Sequence, residues 1–423
     1  MGSGFGASPF GLPTSLFELQ RDKSTPQAGV GGCNKLCIQI ILEGIDQMSE
    51  QEIYEEFIDW LGKTWWGLPD SEQLLPLIKA RYTAEEAKFL TGFPFTGRSL
   101  EELADHHSTT PDQLRPYLDE LARKGLLFKR EADNTFRYSL NDSYFVFFRS
   151  AFWPGLDDDA SRRMAPHVNK YYFDGSYDQY VTAHAKGLRA LPINKTIEDT
   201  RQILPYEDVV KVLDNFEYYS VSACPCRHRK NLDDDSHSCK KPIGNCLHFD
   251  TLGRYCVENG LGREITREET ERILKESADA GLVHGISNWR EKPDTICNCC
   301  NCCCLWMEAY HQLEHHKSLD ASNYRLRIQP EECIGCGLCV KRCPMDALQL
   351  KFSTEVQNKY NKAPVQDASL CLGCGVCVHK CPTDSLTLER KEEIQDPPKN
   401  AREYGMRFMA DRKSGVPLKR KSS

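Results

Sequence analysis

Long apolar runs are missing from this 423-residue chain. The longest, Leu36 to Ile45, is interrupted by Gln39 and Glu43 and is far short of the ~20 residues that span a bilayer. The opening MGSGFGASPF has neither a basic start nor an apolar stretch, so it does not read as a secretory signal. Myristoylation at Gly2 is excluded because position 6 is Gly rather than Ser or Thr. Charge of either sign is in slight excess only, 54 Lys/Arg against 61 Asp/Glu for a net −7. This balance favours solubility and argues against bulk nucleic-acid binding. No G-x-S-x-G, Walker loop or strand-borne G-x-G-x-x-G is found, so no catalytic residue is assigned. These absences predict a cytoplasmic protein with no transmembrane segment and no nucleic-acid partner.

Cysteine is what the chain has in abundance. Of 21 cysteines, 19 fall between Cys224 and Cys381. A disulfide framework of such density belongs to short secreted chains. In a long, unsignalled chain with adjacent cysteines, thiolates for metal are the better reading.

The organisation predicted is α+β and multidomain. Residues 1–47 are rich in Gly, Ser and Pro and read as a flexible segment; Cys33 and Cys37 in it cannot complete a metal site alone. Residues 48–145 read as helices with a terminal hairpin. Ser49 and Glu52 open one helix, and Thr83–Leu90, Ser99–His106 and Thr110–Lys124 follow, the last stopping at Gly125. Strand-like runs Leu126–Arg130 and Thr135–Leu140 flank a turn at Ala132-Asp133-Asn134. This order resembles a winged helix-turn-helix domain. Arg81–Leu140 holds nine Lys/Arg and ten Asp/Glu, without the basic face a groove reader needs, so protein docking is expected there. Residues 146–204 read as a linker wrapping its neighbours, 205–315 as a Cys-rich α/β segment, 325–390 as a metal-binding repeat, and 391–423 as a basic, solvated tail.

The repeat is CIGCGLCVKRCPMDALQL at 333–350 against CLGCGVCVHKCPTDSLTL at 371–388, identical at eleven of 18 positions. Each copy carries C-x2-C-x2-C-x3-C-P. This resembles the bacterial two-cluster ferredoxin pattern. Three thiolates come from one tight loop, where Gly335 and Gly337, or Gly373 and Gly375, let the backbone curl. The resemblance implies that the fourth crosses over: Cys333, Cys336, Cys339 and Cys381 hold one [4Fe–4S] cluster, and Cys371, Cys374, Cys377 and Cys343 the other.

Eleven further cysteines lie upstream. Cys224 and Cys226 stand in CPCRHR, followed by Cys239, Cys246 and Cys256. The run ICNCCNCCC carries Cys297, Cys299, Cys300, Cys302, Cys303 and Cys304. Cys297, Cys300 and Cys303 have the ferredoxin-loop spacing, with Cys299 and Cys302 interleaved. Neighbouring side chains point apart, so the two sets face different ways. One set completes a cluster with part of Cys224, Cys226, Cys239 and Cys246, or those four hold a cluster alone; spacing leaves both open. One or two further [4Fe–4S] clusters are expected here, with zinc in the upstream set as an alternative. His228, His237, His248 and His284 are not needed as ligands. Arg227 and Arg229 either raise a cluster's potential or pair with Asp233–Asp235.

The combination resembles long 4Fe–4S dicluster ferredoxin-domain proteins of anaerobes, which pair CxCR…C…C and ICNCC-type segments with a C-terminal ferredoxin domain. The resemblance implies electron transfer to a partner redox enzyme, within an oxidoreductase complex. Two other readings compete: an iron–sulfur reductase acting through the Cys224–Cys304 region, and a redox-sensing regulator using the winged helix.

Overall fold

The computed structural model describes residues 48–176, 180, 183–193, 196–197, 206–313, 315 and 318–413. Cys33 and Cys37 lie outside these residues, as does the tail beyond 413. The fold mixes helix and sheet.

The first region contains α1 (Glu50–Leu61), α2 (Leu74–Arg81), α3 (Ala84–Leu90), β1 (Arg98–Ser99), α4 (Leu100–His106), α5 (Pro111–Arg123), β2 (Leu127–Ala132) and β3 (Thr135–Leu140). Ser49, Thr83, Ser99 and Thr110 each close a capping box with the Glu or Gln three residues on, satisfying amides that a helix start leaves free. Asp133 and Asn134 take positive φ of 54° and 58°, the geometry of a tight hairpin turn between β2 and β3. β1 adds to β3, giving the order β1-β3-β2.

After a helical turn at Ser143–Phe145 and a π-helical turn at Val146–Ser150 come α6 (Asp159–Tyr171), β4 (Leu188–Leu191), α7 (Val209–Leu213), β5 (Tyr219–Ser222), α8 (Pro225–Asn231), β6 (Cys246–Phe249), α9 (Asp250–Glu258), β7 (Arg263–Ile265), α10 (Arg267–Asp279), β8 (Val283–Ser287), β9 (Thr295–Cys299) and α11 (Leu305–Gln312). Six strands form an antiparallel sheet in the order β4-β8-β9-β6-β5-β7. Val221, Leu247, Phe249, Ile286 and Ile296 point to one face, where Leu213, Ile273 and Leu274 of α7 and α10 cover them. Strand side chains alternate, so Cys246, Cys297 and Cys299 project from the opposite face.

Two expectations change here. The stretch 146–204, expected as a wrapping linker, supplies α6 and the edge strand β4. Arg189 sits inside that strand and is neutralised by buried Glu207 at 3.9 Å. At α10, the capping box that Thr266-Arg267-Glu268-Glu269 predicts closes on one side only: Thr266 caps the amide of Glu269, while the Glu269 carboxylate turns to Arg263.

The C-terminal module contains β10 (Tyr324–Ile328), α12 (Leu338–Arg342), β11 (Leu348–Phe352), β12 (Lys362–Gln366) and β13 (Leu386–Arg390), with α13 (Ala401–Lys413) behind it. β10 pairs with β13, and β11 with β12. The beginning of the basic tail is not a solvated arm. Tyr404 and Phe408 of α13 are buried among Trp65, Trp66 and Tyr180, and Arg412 donates to the Thr64 and Trp65 carbonyls. Among the described residues, no helix is long and apolar enough to cross a membrane.

Candidate metal centres

Four groups of thiols are brought together. In the C-terminal module, Cys333, Cys336, Cys339 and Cys381 line one cavity. Cys343, Cys371, Cys374 and Cys377 line a second, which encloses about 370 Å³ of non-atom space, part of it open to solvent. Each cavity thus takes three thiols from one repeat and the pre-proline thiol of the other. The loops curl at Gly335, Gly337, Gly373 and Gly375, whose φ values run from 64° to 76°. A Cβ on Gly373 would stand 2.1 Å from the Tyr324 carbonyl oxygen, so only glycine fits. Backbone amides aim at the sulfurs: Gly335 N at Cys333 (3.3 Å), Gly373 N at Cys371 (3.4 Å) and Ala347 N at Cys343 (3.3 Å). Burial raises the thiol pKa of Cys339 to about 11 and of Cys374 to about 12. A four-thiol donor set around a cavity, with amide donors to sulfur, fits a [4Fe–4S] cluster.

Residues 332–385 match the family model of the 4Fe-4S dicluster domain. The C-terminal module is a ferredoxin-type domain. A curated relative, the NADH-quinone oxidoreductase subunit I 2 of Geobacter metallireducens, is 36% identical over 69 residues, which is 15% of this chain. The chain spans about half the length of that relative. No solved structure matches.

Beyond the ferredoxin domain, a ring-like group of six thiols lies on the face of the large sheet opposite α7 and α10, with Cys246, Cys299 and Cys304 buried. The register Leu247↔Ile296 sets Cys246 opposite Cys297, and their thiols touch. Cys297 continues to Cys299, Cys299 to Cys304, Cys304 to Cys226 and Cys226 to Cys224. Hydrogen bonds from Cys226 and Cys299 pull Cys304 down to about 6. The fourth group is Cys239, Cys300, Cys302 and Cys303, whose sulfurs all lie within 4.8 Å of one another.

This partition corrects the expected one. Cys297 does not side with Cys300 and Cys303, and Cys299 does not side with Cys302. The ×2 spacing presumes a loop, but Cys297 and Cys299 stand on β9, where residues two apart share a face. Cys304, not assigned as a ligand from the sequence, completes the ring from the N-cap of α11. The signal available was its place at the end of an unbroken triplet, where alternate residues face apart.

Arg227, fully buried, lies between the two upstream groups. Its guanidinium donates to the Asn298 carbonyl (2.9 Å), to Cys300 Sγ (3.6 Å) and to Asn245. Burial opposes its charge, but the Cys224 and Cys300 sulfurs outweigh burial and raise its pKa. Arg229 faces buried Glu308 at 3.7 Å, which also pairs with Lys230 at 2.6 Å. Neither arginine pairs with Asp233–Asp235 in these contacts.

The histidines are engaged elsewhere. His228 bonds the Leu156 carbonyl, His248 faces Thr295, and His284 bonds Asn298, with burial lowering the His284 pKa to about 4. His237 is exposed. Cys256 packs among Phe145, Trp153 and Leu261 as a core side chain.

Proposed function

We propose that this protein is an electron-transfer component of an oxidoreductase system, working in an oxygen-poor cytoplasm. Iron–sulfur clusters, when bound, supply one-electron chemistry. The chain's part is to hold them, space them and set their surroundings. Cys333, Cys336, Cys339 and Cys381 would hold one [4Fe–4S] cluster, Cys371, Cys374, Cys377 and Cys343 a second, and the six-thiol ring a third.

One observation carries this reading. Helix α11 starts at Cys304 of the ring and reaches the pre-proline segment of the ferredoxin domain, where Tyr310 donates to the Met345 carbonyl (3.1 Å) and His311 bonds the Pro344 carbonyl (2.9 Å). Eight helical residues span only about 12 Å. The ring and the Cys343 cavity are therefore held at the two ends of one rigid strut. The partner is read as a protein redox enzyme, in keeping with the name of the similar subunit. The N-terminal region, read as winged-helix-like, would serve docking: its helix α5 alternates Asp112 and Glu120 with Arg115 and Arg123 instead of offering one basic face. A reductase would need an iron with an open position, and a ring with six thiols has more donors than a cubane needs.

The test is iron content and electron paramagnetic resonance after anaerobic purification. Three cubanes give roughly 12 iron per chain. Eight or fewer would remove the third centre and the extended relay with it.

A further inference from the structure

We infer that Cys239, Cys300, Cys302 and Cys303 form a site for a single tetrahedral metal ion, with zinc as occupant, and not a fourth iron–sulfur cage. This goes beyond the electron-transfer reading, which rests on the other three thiol groups.

The argument is geometric. A zinc–thiolate bond is about 2.3 Å, so the four sulfurs around one ion stand about 3.8 Å apart along each edge of the tetrahedron. Here Cys302 and Cys239 are 3.6 Å apart, and Cys303 and Cys302 are 3.7 Å apart. Cys300 is in hydrogen-bonding contact with Cys239, Cys302 and Cys303. Five of the six edges are therefore close contacts, and all four sulfurs lie within 4.8 Å. Around a cubane each thiolate binds a different iron. Its sulfurs are then separated by the single-ion edge plus a whole iron–iron distance. The 4.8 Å limit leaves about 1 Å beyond that edge, less than any iron–iron separation.

The same molecule supplies the control. Among the described residues, this is the one group of three or more potential ligand atoms drawn so close together. The ferredoxin thiols are spread around cavities instead, and in the six-thiol ring the contacts run pairwise along a row, with no three of its sulfurs mutually so close.

The surroundings suit a small closed site. Cys239, Cys300 and Cys303 are buried with Leu282 and Ala280, and no position is left open for a substrate, as in structural zinc sites. Four thiolates and a divalent ion carry a net −2. Arg227 offsets part of it through Cys300 Sγ at 3.6 Å, as a charged donor to a ligand sulfur does. The Cys239 backbone is held in place by Asn231, whose side chain accepts from the Cys239 amide (2.8 Å) and donates to its carbonyl (3.2 Å). The ion would clamp the loop between α8 and β6 onto the turn that follows β9.

The experiment is metal analysis of anaerobically purified full-length chain and of Cys302→Ser, with cobalt substitution of the unaltered chain as a second readout. The expected results are about one zinc per chain, lost in Cys302→Ser with iron content retained, and the intense visible bands of tetrahedral cobalt thiolate. Loss of a single iron in place of zinc would keep the one-ion geometry but overturn zinc as its occupant. Loss of about four irons in Cys302→Ser, or no tetrahedral cobalt spectrum, would overturn it. Neither result bears on the iron of the other three groups.

Discussion

The two cavities of the ferredoxin domain are near-copies in sequence and opposites in setting. The outer one carries Cys336 exposed and lies beside exposed Ile334 and Leu338. The inner one has Cys374 and Cys377 buried, and its walls Met345, Ala347 and Leu372 belong to the main core that runs through Trp306 and Tyr310. An internal repeat supplies two equal ligand sets. Docking against the large sheet makes them unequal, one facing solvent, the other facing the six-thiol ring through α11. Exposure and hydrogen bonding to sulfur are the protein's means of tuning such clusters, so one repeat gives two different sites.

The largest effect expected is from crossing the pre-proline cysteines. Cys343→Ala lies in the first repeat but should empty the inner site, and Cys381→Ala, in the second repeat, should empty the outer one. Each variant should lose about four irons, read by iron analysis with paramagnetic resonance to tell the sites apart. Only the inner loss should also isolate the ring. If Cys343→Ala removed the signal of the exposed site, the crossing would be wrong.

Next come paired glycines. Gly373→Ala puts a Cβ 2.1 Å from a backbone oxygen, whereas the same change at Gly335 meets the Asn358 side chain at 2.8 Å. Both share the left-handed strain of about 1–2 kcal/mol. Gly373→Ala adds overpacking of about 1–3 kcal/mol against atoms that cannot yield. Chemical denaturation under anaerobic conditions should rank them, with Gly373→Ala the more damaging; equal losses would mean that the inner loop is no more constrained than the outer. Brief air exposure sharpens the same contrast: the outer site, with Cys336 exposed, should lose its signal before the inner.

What was legible in the sequence follows from what is local. The ferredoxin loops are complete within 18 residues, with ligand spacing, positive-φ glycines and a following proline all adjacent. Helix starts were likewise written in their capping boxes. The ring was not legible, because its partition depends on strand period and on the pairing of β6 with β9, whose residues lie about fifty positions apart. The edge strand β4 was hidden by a charge in its middle, Arg189, that is tolerable only because Glu207 arrives from elsewhere. In the tail, Tyr404 and Phe408 had the i, i+4 spacing of a buried stripe, masked by surrounding basic residues.

The smallest effect tests what keeps the two cavities unequal, the seam between ferredoxin domain and sheet. Lys380 and His379 reach Asp279 at the end of α10, at 2.5 and 2.8 Å, and Arg342 donates to the Ala278 and Asp279 carbonyls. Lys380 and Arg342 lie where a helix C-terminus attracts positive charge. Lys380, then Lys275 and His379, hold the Asp279 carboxyl below its ordinary range. Its side chain is 31% exposed, so the pairs count as surface ion pairs of about 0.5–1 kcal/mol. Asp279→Asn keeps the shape and removes the charge. It should lower Tm slightly at neutral pH and low salt, and the difference from the parent should shrink as salt screens the pairs. A loss independent of salt would mean that the seam is held by the Arg342 hydrogen bonds and by packing, with the charges of Asp279 and Lys380 incidental to it.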